Sequence, residues 1–280
     1  MNQIIQAALD GGINWFDTAE MYGRGRSEQG LAQALQAADT PDDDIRIATK
    51  WFPILRTAGN IPKTIVDRQR FLSPYTIDLY QIHQPYSFSS PESEMNAMAD
   101  LVDGGIIRSV GVSNFSADRM RKAHAALEKR GYPLASNQVQ YHLMDRSIEK
   151  NGILDAAEEL GITIIAWGPL ASGLLTGKFH HNPDVLAQTP VGRRNILRRN
   201  LEKSRPLVDA LTEIGEDYNA SPSQVALNWL IHSHGDTVVA IPGASKVKHA
   251  QEGAGAMQFK LSQEEMERLE LISQKIQQSI

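Results

Sequence analysis

The sequence predicts an α/β protein whose parallel strands form a barrel, and three observations support that fold class. Short apolar, β-branched runs begin near residues 13, 45, 77, 107, 135 and 162, at intervals of about 30 residues, the length of one strand-helix unit. Amphipathic helical patterns fill these intervals, and such alternation is typical of a parallel sheet. Polar residues follow run after run, as expected where the carboxyl ends of barrel strands carry an active site.

An open, doubly wound sheet is the alternative parallel architecture, and it usually has a Gly-x-Gly-x-x-Gly turn after its first strand. The nearest candidate, residues 23–28, has Glu28 where the third glycine belongs, so the sequence favours the barrel. A seventh apolar run, residues 237–241, follows a long interval that contains a Gly-rich loop at residues 168–177. We expect a single domain over residues 1–280.

The composition limits the class of function. The 280 residues carry a formal net charge of −5 and include no cysteine. The acidic balance argues against a nucleic-acid or membrane-surface partner, and the lack of thiols excludes disulfides and a cysteine nucleophile. The histidines away from the strand ends have no third ligand in register, so we expect no metal site. Without a long apolar segment or a signal peptide, we expect a soluble, cytoplasmic protein that acts on a small molecule; its oligomeric state stays open.

Four residues at or just after the strand ends are candidates for chemistry. Asp17 closes the first apolar run, Tyr22 follows it in a Gly-punctuated loop, and Lys50 and His83 end the next two runs. Taken singly, each has a simple structural interpretation, such as a helix N-cap for Asp17 or a packed rim position for His83. Taken together, they would lie on the face of the barrel where loops carry function.

Seven short motifs at the strand ends give the chain a resemblance to a known family. They are Asp17-Thr18-Ala19-Glu20-Met21-Tyr22-Gly23, Ala48-Thr49-Lys50, Asp78-Leu79-Tyr80-Gln81-Ile82-His83, Gly111-Val112-Ser113-Asn114-Phe115, Asn137-Gln138-Val139-Gln140-Tyr141, Ala166-Trp167-Gly168-Pro169-Leu170 and Ile241-Pro242-Gly243-Ala244-Ser245. In this order they resemble the aldo-keto reductases along essentially the whole chain. Trp167 and residues 172–178 and 243–245 are most similar to the branch that contains the potassium-channel β subunits and related bacterial reductases.

The resemblance implies a (β/α)8 TIM barrel that binds NADPH and reduces carbonyl groups without a metal. Tyr22 matches the family's proton donor. Because a phenol with a pKa near 10 is a weak acid at neutral pH, its phenolate needs a nearby cation. Lys50 matches that cation and Asp17 matches its ion-pair partner. His83 matches the residue that donates a hydrogen bond to the substrate carbonyl.

A larger set of residues matches the family's cofactor site. Ser113, Asn114 and Gln138 match the residues that hydrogen-bond the nicotinamide carboxamide, and Trp167 matches the aromatic ring that stacks on the nicotinamide. Backbone N–H groups and cations meet the pyrophosphate of such cofactors, and the matching positions are Gly168, Pro169, Leu170, Ser172, Lys178 and Arg193. The adenosine end, which includes the 2′-phosphate of NADP, matches Gly243, Ser245, Lys246, His249 and Glu252.

The chain departs from the family pattern in two places. His249 stands where Arg or Gln is usual and Gly253 stands where Asn is usual, which leaves the choice between NADPH and NADH open. The family's N-terminal hairpin and first barrel strand have no counterpart before the motif of Asp17. We therefore expect seven strands and interpret the missing strand as the mark of a truncated or mis-started sequence; if the protein begins at Met1, we expect an open sheet edge that lowers stability or takes a partner strand.

The predicted function is an NAD(P)H-dependent aldo-keto reductase, an oxidoreductase that converts aldehydes or ketones to alcohols with Tyr22 as the proton donor. The alternative is a cofactor-binding regulatory subunit, resembling the channel β subunits, with little catalytic role. Four aromatic residues fit apolar walls suited to a carbonyl substrate of modest size, and aromatic packing at the rim explains them equally well: Trp51, Phe52, Tyr86 and Phe88. The sequence does not identify that substrate.

Overall fold

The structure, a computed structural model, describes residues 1–278, without the side chains of Pro183 and Ile196. These residues fall into two compact units. Unit 1 comprises Met1–Val139 and Ile148–Ile165, and unit 2 comprises Gln140–Ser147 and the chain from Ala166 onward.

The residues from 1 to 278 form seven strands, as many as the apolar runs counted in the sequence. They are β1 (Trp15–Asp17), β2 (Arg46–Trp51), β3 (Ile77–Ile82), β4 (Ile107–Ser113), β5 (Leu134–Gln140), β6 (Thr163–Trp167) and β7 (Val238–Ile241). Neighbouring strands in the sheet follow the order of the chain, from β1 to β7. The four pairings from β1 to β5 are parallel, as strand-helix alternation predicts.

Helices follow the strands in sequence. In unit 1 they are α1 (Asn2–Asp10), α2 (Arg26–Ala37), α3 (Ile61–Leu72), α4 (Pro91–Asp103), α5 (Ala117–Glu128) and α6 (Ile153–Leu160). In unit 2 they are α7 (Lys178–His181), α8 (Pro183–Ala187), α9 (Val191–Asp217), α10 (Pro222–His232), α11 (Val247–Gly255) and α12 (Gln263–Gln278). Among the described helices, none is both long enough and apolar enough to cross a membrane.

The core of unit 1 is centred on β2 and β3. Every residue of β3 is buried, and only the first residue of β2 is exposed. Strands covered on both faces lose the alternation of polar and apolar residues that marks a half-exposed sheet. This burial holds the carboxyl ends of both strands rigidly, which is the requirement for a site built on them.

Several helices in this fold begin with a side-chain cap. Ser90 and Ser116 accept hydrogen bonds from backbone N–H groups in the first turns of α4 and α5. In unit 2, Ser221 and Gln224 form a reciprocal capping box at the start of α10, and Ser262 and Glu265 do so at α12. Each of these reciprocal caps satisfies backbone N–H groups that lack an intrahelical partner.

Candidate active site

Asp17 and Lys50 form a buried ion pair in unit 1. Asp17 is the last residue of β1, and the backbone after it continues along β2, since Thr18 N donates to Ala48 O at 2.8 Å and Glu20 N to Lys50 O at 3.2 Å. Lys50 Nζ donates to Asp17 Oδ1 and, at 2.9 Å, to Thr18 O. The side chain of Lys50 is fully buried and that of Asp17 is 7% exposed. Burial lowers the pKa of Lys50, and the charge of Asp17 opposes that shift.

Tyr22 is brought to this pair by a tight turn. Its backbone N–H donates to Ala19 O at 3.0 Å, and Gly25 then begins α2 with a φ of 88°. Only glycine fits there, since a Cβ on Gly25 would lie 2.3 Å from the ring of Phe71. The Tyr22 ring lies under Lys50 Nζ, 5.3 Å from the ring centroid.

The pKa of Tyr22 shifts in the direction opposite to the one expected from the sequence. Burial, and then the negative charge of Asp17, raise the pKa of Tyr22, whereas a lysine beside the phenol was expected to lower it. Burial of the phenol is the larger cause, and Lys50, which donates to Asp17, does not offset it. Tyr22 is therefore held in its protonated form at neutral pH.

His83 follows β3 and faces the ring of Tyr22. Its backbone N–H donates to Trp51 O at 3.0 Å, and its imidazole meets Tyr22 edge to face with ring centroids 5.7 Å apart. Burial and the positive charge of Lys50 lower the pKa of His83 to about 4. The imidazole is therefore neutral near pH 7, and its buried Nδ1 has no hydrogen-bond partner among the described residues. A neutral imidazole can donate one hydrogen bond and accept another.

Asp17 also accepts two amide donors, one of which the sequence analysis did not single out. Gln138 Nε2 donates to Asp17 Oδ2 at 2.9 Å, and Gln81 Nε2 donates to the same oxygen at 3.2 Å. Gln138 was predicted to hydrogen-bond a cofactor carboxamide, and the structure joins its side chain to the carboxylate instead. Gln81 was present in a quoted motif without an assigned role.

Ser113 and Asn114 lie at the end of β4, on the same side of unit 1. Ser113 Oγ donates to Gln138 O at 2.8 Å, and Asn114 Nδ2 donates to Ser113 Oγ at 3.1 Å and to His83 O at 3.3 Å. Asn114 has a φ of 60°, a left-handed conformation that Asn tolerates better than most residues. The three predicted carboxamide-binding residues are thus joined to each other.

Glu20 organises the loop after β2 and was not predicted as a site residue. Its carboxylate accepts from Phe52 N at 3.0 Å and from Arg56 Nη1 at 2.8 Å, and Arg68 Nη1 lies 3.5 Å away. The loop places the Phe52 ring edge-on to His83, with centroids 6.2 Å apart. A single carboxylate thus fixes one aromatic neighbour of the candidate catalytic histidine.

The four aromatic residues expected as pocket walls divide into two groups. Trp51 is fully buried and its Nε1 donates to Asn60 Oδ1 at 3.1 Å, so the expectation for Trp51 was wrong: its ring belongs to the core. Tyr86 and Phe88 are 65% and 72% exposed, and Phe52 contacts His83. These three remain available to a substrate.

In unit 2, the loop after β6 turns tightly through left-handed backbone conformations. Gly168, Ala171, Ser172 and Gly173 all have positive φ, and Ala171 N donates to Gly168 O at 2.9 Å and Gly173 N to Leu170 O at 2.8 Å. These two N–H groups are therefore used within the loop. The loop follows Trp167 and includes the predicted positions Pro169 and Leu170.

Positive charges gather beside this loop. Arg193 Nη2 donates to Ser172 O at 2.7 Å. Burial, and then the positive charges of Arg193 and Lys246, lower the pKa of Lys178, while Glu252 opposes the shift. We call Lys178, Arg193 and Lys246 the cation cluster. Like charges held together in this way favour binding of a negatively charged group.

The remaining predicted residues of unit 2 lie at the start of α11. Ser245 N and Oγ lie 3.3 and 3.4 Å from His249 Nδ1, and Lys248 Nζ lies 3.7 Å from Glu252 Oε1. Gly243 has open space where a Cβ would stand, so packing does not require glycine at that position. Within residues 1–278 no group of three or more His, Asp or Glu side chains is arranged to hold a metal ion.

Comparison with known proteins agrees with this geometry. The model of the Aldo/keto reductase family matches residues 1–274. The chloroplastic pyridoxal reductase of Arabidopsis thaliana is 34% identical over 286 aligned residues, which cover 96% of this chain and 75% of that protein. The chain is also similar to a glycerol dehydrogenase from Gluconobacter oxydans, with 32% identity, a TM-score of 0.85 and coverage of 98% of this chain and 85% of the other.

An aldo-keto reductase from Klebsiella pneumoniae, solved in complex with NADPH, matches with 26% identity and a TM-score of 0.76 over 97% of this chain and 84% of its own. These likenesses confirm the predicted fold class, the (β/α)8 barrel, of which the described residues form seven strands. The chain therefore belongs to the aldo/keto reductase family of oxidoreductases.

Proposed function

We propose that this chain is an NADPH-dependent reductase that converts aldehydes or ketones to alcohols, with Tyr22 as the proton donor. The observation that carries the proposal is the meeting of Asp17, Lys50, Tyr22 and His83 within unit 1. Two of the four are charged and buried, an arrangement that costs free energy and persists where it serves a function.

The positively charged residues of unit 2 are suited to bind the phosphates of the cofactor. The cation cluster brings three positive charges together with Glu252 as the opposing carboxylate, and phosphate oxygens would relieve the repulsion. Gly173 leaves room for one of these cations, because a Cβ there would lie 3.2 Å from Lys178 Nζ. When bound, NADPH supplies the hydride.

The chain's own residues supply the proton. Negative charge develops on the carbonyl oxygen as the carbon is reduced, so a donor must stand against that oxygen. The raised pKa of Tyr22 keeps the phenol protonated at neutral pH. As proton transfer proceeds, the Lys50 ammonium near the ring stabilises the growing negative charge on the phenol oxygen.

His83 is suited to orient the carbonyl. With its pKa lowered to about 4, it is a neutral imidazole that can donate a hydrogen bond without giving up its proton. Asn114 holds the backbone carbonyl of His83, and Phe52 packs against its ring. The orientation of the imidazole is therefore fixed before a substrate arrives.

The substrate class follows from the exposed walls and from the relatives. Phe52, Tyr86 and Phe88 offer apolar surface beside His83 or on the adjoining loops, which suits a carbonyl with an aromatic or aliphatic substituent. Two relatives, a pyridoxal reductase and a glycerol dehydrogenase, add pyridoxal and the oxidation products of glycerol to the substrates worth testing.

The test is NADPH oxidation by the purified chain over a panel of aliphatic aldehydes, aromatic aldehydes, pyridoxal and small ketones, repeated with NADH. We expect turnover of at least one aldehyde and a preference for NADPH. The Lys178→Met variant removes one charge of the cation cluster. It should lose affinity for NADPH more than for NADH. Binding of NADPH without turnover of any carbonyl would favour the regulatory alternative, in line with the resemblance to the channel β subunits.

A further inference from the structure

We propose that Gln81 is a positioning residue of the catalytic group: by donating to Asp17 it holds the carboxylate in the orientation that keeps Lys50 beside Tyr22. The inference rests on the proposed function for its catalytic part. Its structural part, the donation from Gln81 to a buried carboxylate, stands on the contacts alone.

The contacts divide the two oxygens of Asp17 between two kinds of donor. Oδ1 accepts the Lys50 ammonium, and Oδ2 accepts Gln81 Nε2 at 3.2 Å and Gln138 Nε2 at 2.9 Å. The two amides also approach each other, with Gln138 Nε2 3.5 Å from Gln81 Oε1. Both glutamines are buried, Gln81 fully and Gln138 to 97%. A carboxylate with both oxygens occupied has one stable orientation.

The strand register places Gln81 in this role. Lys50 on β2 pairs with Gln81 on β3, and Gln81 pairs with Gly111 on β4. Cross-strand partners direct their side chains to the same face, so Lys50 and Gln81 reach Asp17 side by side. Gly111 provides the space, because a Cβ there would lie 2.9 Å from Gln81 Cγ.

Electrostatics give the contact a catalytic consequence. The charge of Asp17 raises the pKa of Tyr22, and hydrogen bonds from neutral amides stabilise a carboxylate and spread its charge. Without Gln81, the Oδ2 oxygen keeps one donor instead of two, and the carboxylate is free to rotate away from Lys50. The Lys50 ammonium, which Asp17 holds beside the Tyr22 ring, then loses its fixed position, and proton delivery from Tyr22 slows.

Two substitutions at Gln81 test the proposal, each with a matched control at Gln69, an exposed glutamine on α3. Gln81→Met keeps the length of the side chain and removes the donor. We expect kcat to fall about tenfold, equivalent to about 1.4 kcal/mol of transition-state stabilisation, with little change in the affinity for NADPH. Gln69→Met should match the wild type.

Gln81→Glu gives a pH-dependent readout that would not change if Gln81 only filled space in the core. The introduced carboxyl faces Asp17, so it stays protonated well above its usual range and can donate through its O–H at low pH. As pH rises between about 5 and 8 it ionises against Asp17, and both kcat and the free energy of unfolding should fall. Gln69→Glu should show neither pH-dependent loss.

The two readouts separate the failure of this inference from the failure of the proposed function. If the wild type reduces no carbonyl, the proposed function fails, and the pH dependence of unfolding still shows whether Gln81 faces Asp17. If Gln81→Met keeps kcat within twofold of the wild type, or if Gln81→Glu unfolds with the same pH dependence as Gln69→Glu, the inference is overturned.

Discussion

Asp17→Asn should destabilise this protein far more than the loss of a surface ion pair would. Asp17 is 7% exposed and Lys50 is fully buried, so the substitution leaves an ammonium in the core with only uncharged acceptors, Thr18 O and the amide oxygen of the new Asn. Removing one partner of a buried pair costs about 3–5 kcal/mol, whereas exposed pairs contribute about 0–1 kcal/mol. The new amide would also direct N–H groups at donors that the carboxylate accepts.

The pH dependence of that loss has a definite sign. Burial already lowers the pKa of Lys50, and Asp17 is the group that opposes the shift. Without Asp17 the folded-state pKa of Lys50 falls further below its value in the unfolded chain. The unfolded chain then binds the proton more tightly, so the destabilisation is largest near neutral pH and shrinks as pH rises towards 10.5, the ordinary value for lysine.

The assay is urea unfolding followed by tryptophan fluorescence at pH 7 and pH 10, for the wild type, Asp17→Asn, Lys50→Met and the double variant. The double variant removes both charges and should recover at least about 2 kcal/mol of the summed single losses, as coupled neighbours do. It should remain inactive, because the cation is gone. A loss below about 1 kcal/mol for Asp17→Asn, with no coupling in the cycle, would refute the buried ion pair.

Three further predictions follow from buried groups elsewhere in the chain. His142 is 4% exposed, and burial lowers its pKa to about 4, so the free energy of unfolding should fall by about 3 kcal/mol between pH 6.5 and pH 4. His142→Leu should remove that component from the urea-unfolding profile. Glu20→Gln should weaken the contact to Arg56 at 2.8 Å and raise KM for bulky aldehydes more than for small ones. Unchanged relative KM values would argue against the role of Glu20 in holding the loop after β2. Gly111→Ala should lower the urea midpoint, since its Cβ would lie 2.4 Å from Ser136 Oγ; a wild-type midpoint would show that the strands have room to separate.

The sequence predicted the fold class, and it placed the candidate catalytic residues at or just after strand ends, because both inferences depend on short-range patterns. A spacing of about 30 residues marks the strand-helix units, and a polar residue at the end of an apolar run stands out, as Asp17 and His83 do. Charged residues in apolar strands are conspicuous for the same reason: Lys50 interrupts a run that is otherwise suited to burial on both faces.

Gln81 and Glu20 could not be singled out in the same way. Gln81 lies inside a fully buried strand, and its role depends on register with Lys50, which only the pairing of β2 and β3 reveals. One signal for this pairing was available, because Lys50 and Gln81 each stand next to last in a strand of six residues. Glu20 acts through Arg56, 36 positions away, and no local pattern links them. The rise in the pKa of Tyr22 was not predicted, because it depends on the burial of the phenol and on the position of the Asp17 charge in the folded chain.

The most direct test of the central claim is a comparison of wild type and Tyr22→Phe in two measurements made on the same samples: NADPH affinity by fluorescence titration, and the rate of a single turnover with the best aldehyde of the panel. In the proposed mechanism Tyr22 supplies the proton, and its side chain is partly exposed at 44%, so the substitution should leave NADPH affinity within about twofold. The single-turnover rate should fall by at least about 100-fold, the lower end of what a positioned general acid contributes. A Tyr22→Phe variant that binds NADPH normally and keeps more than about a tenth of the wild-type rate would contradict the assignment of Tyr22 as proton donor.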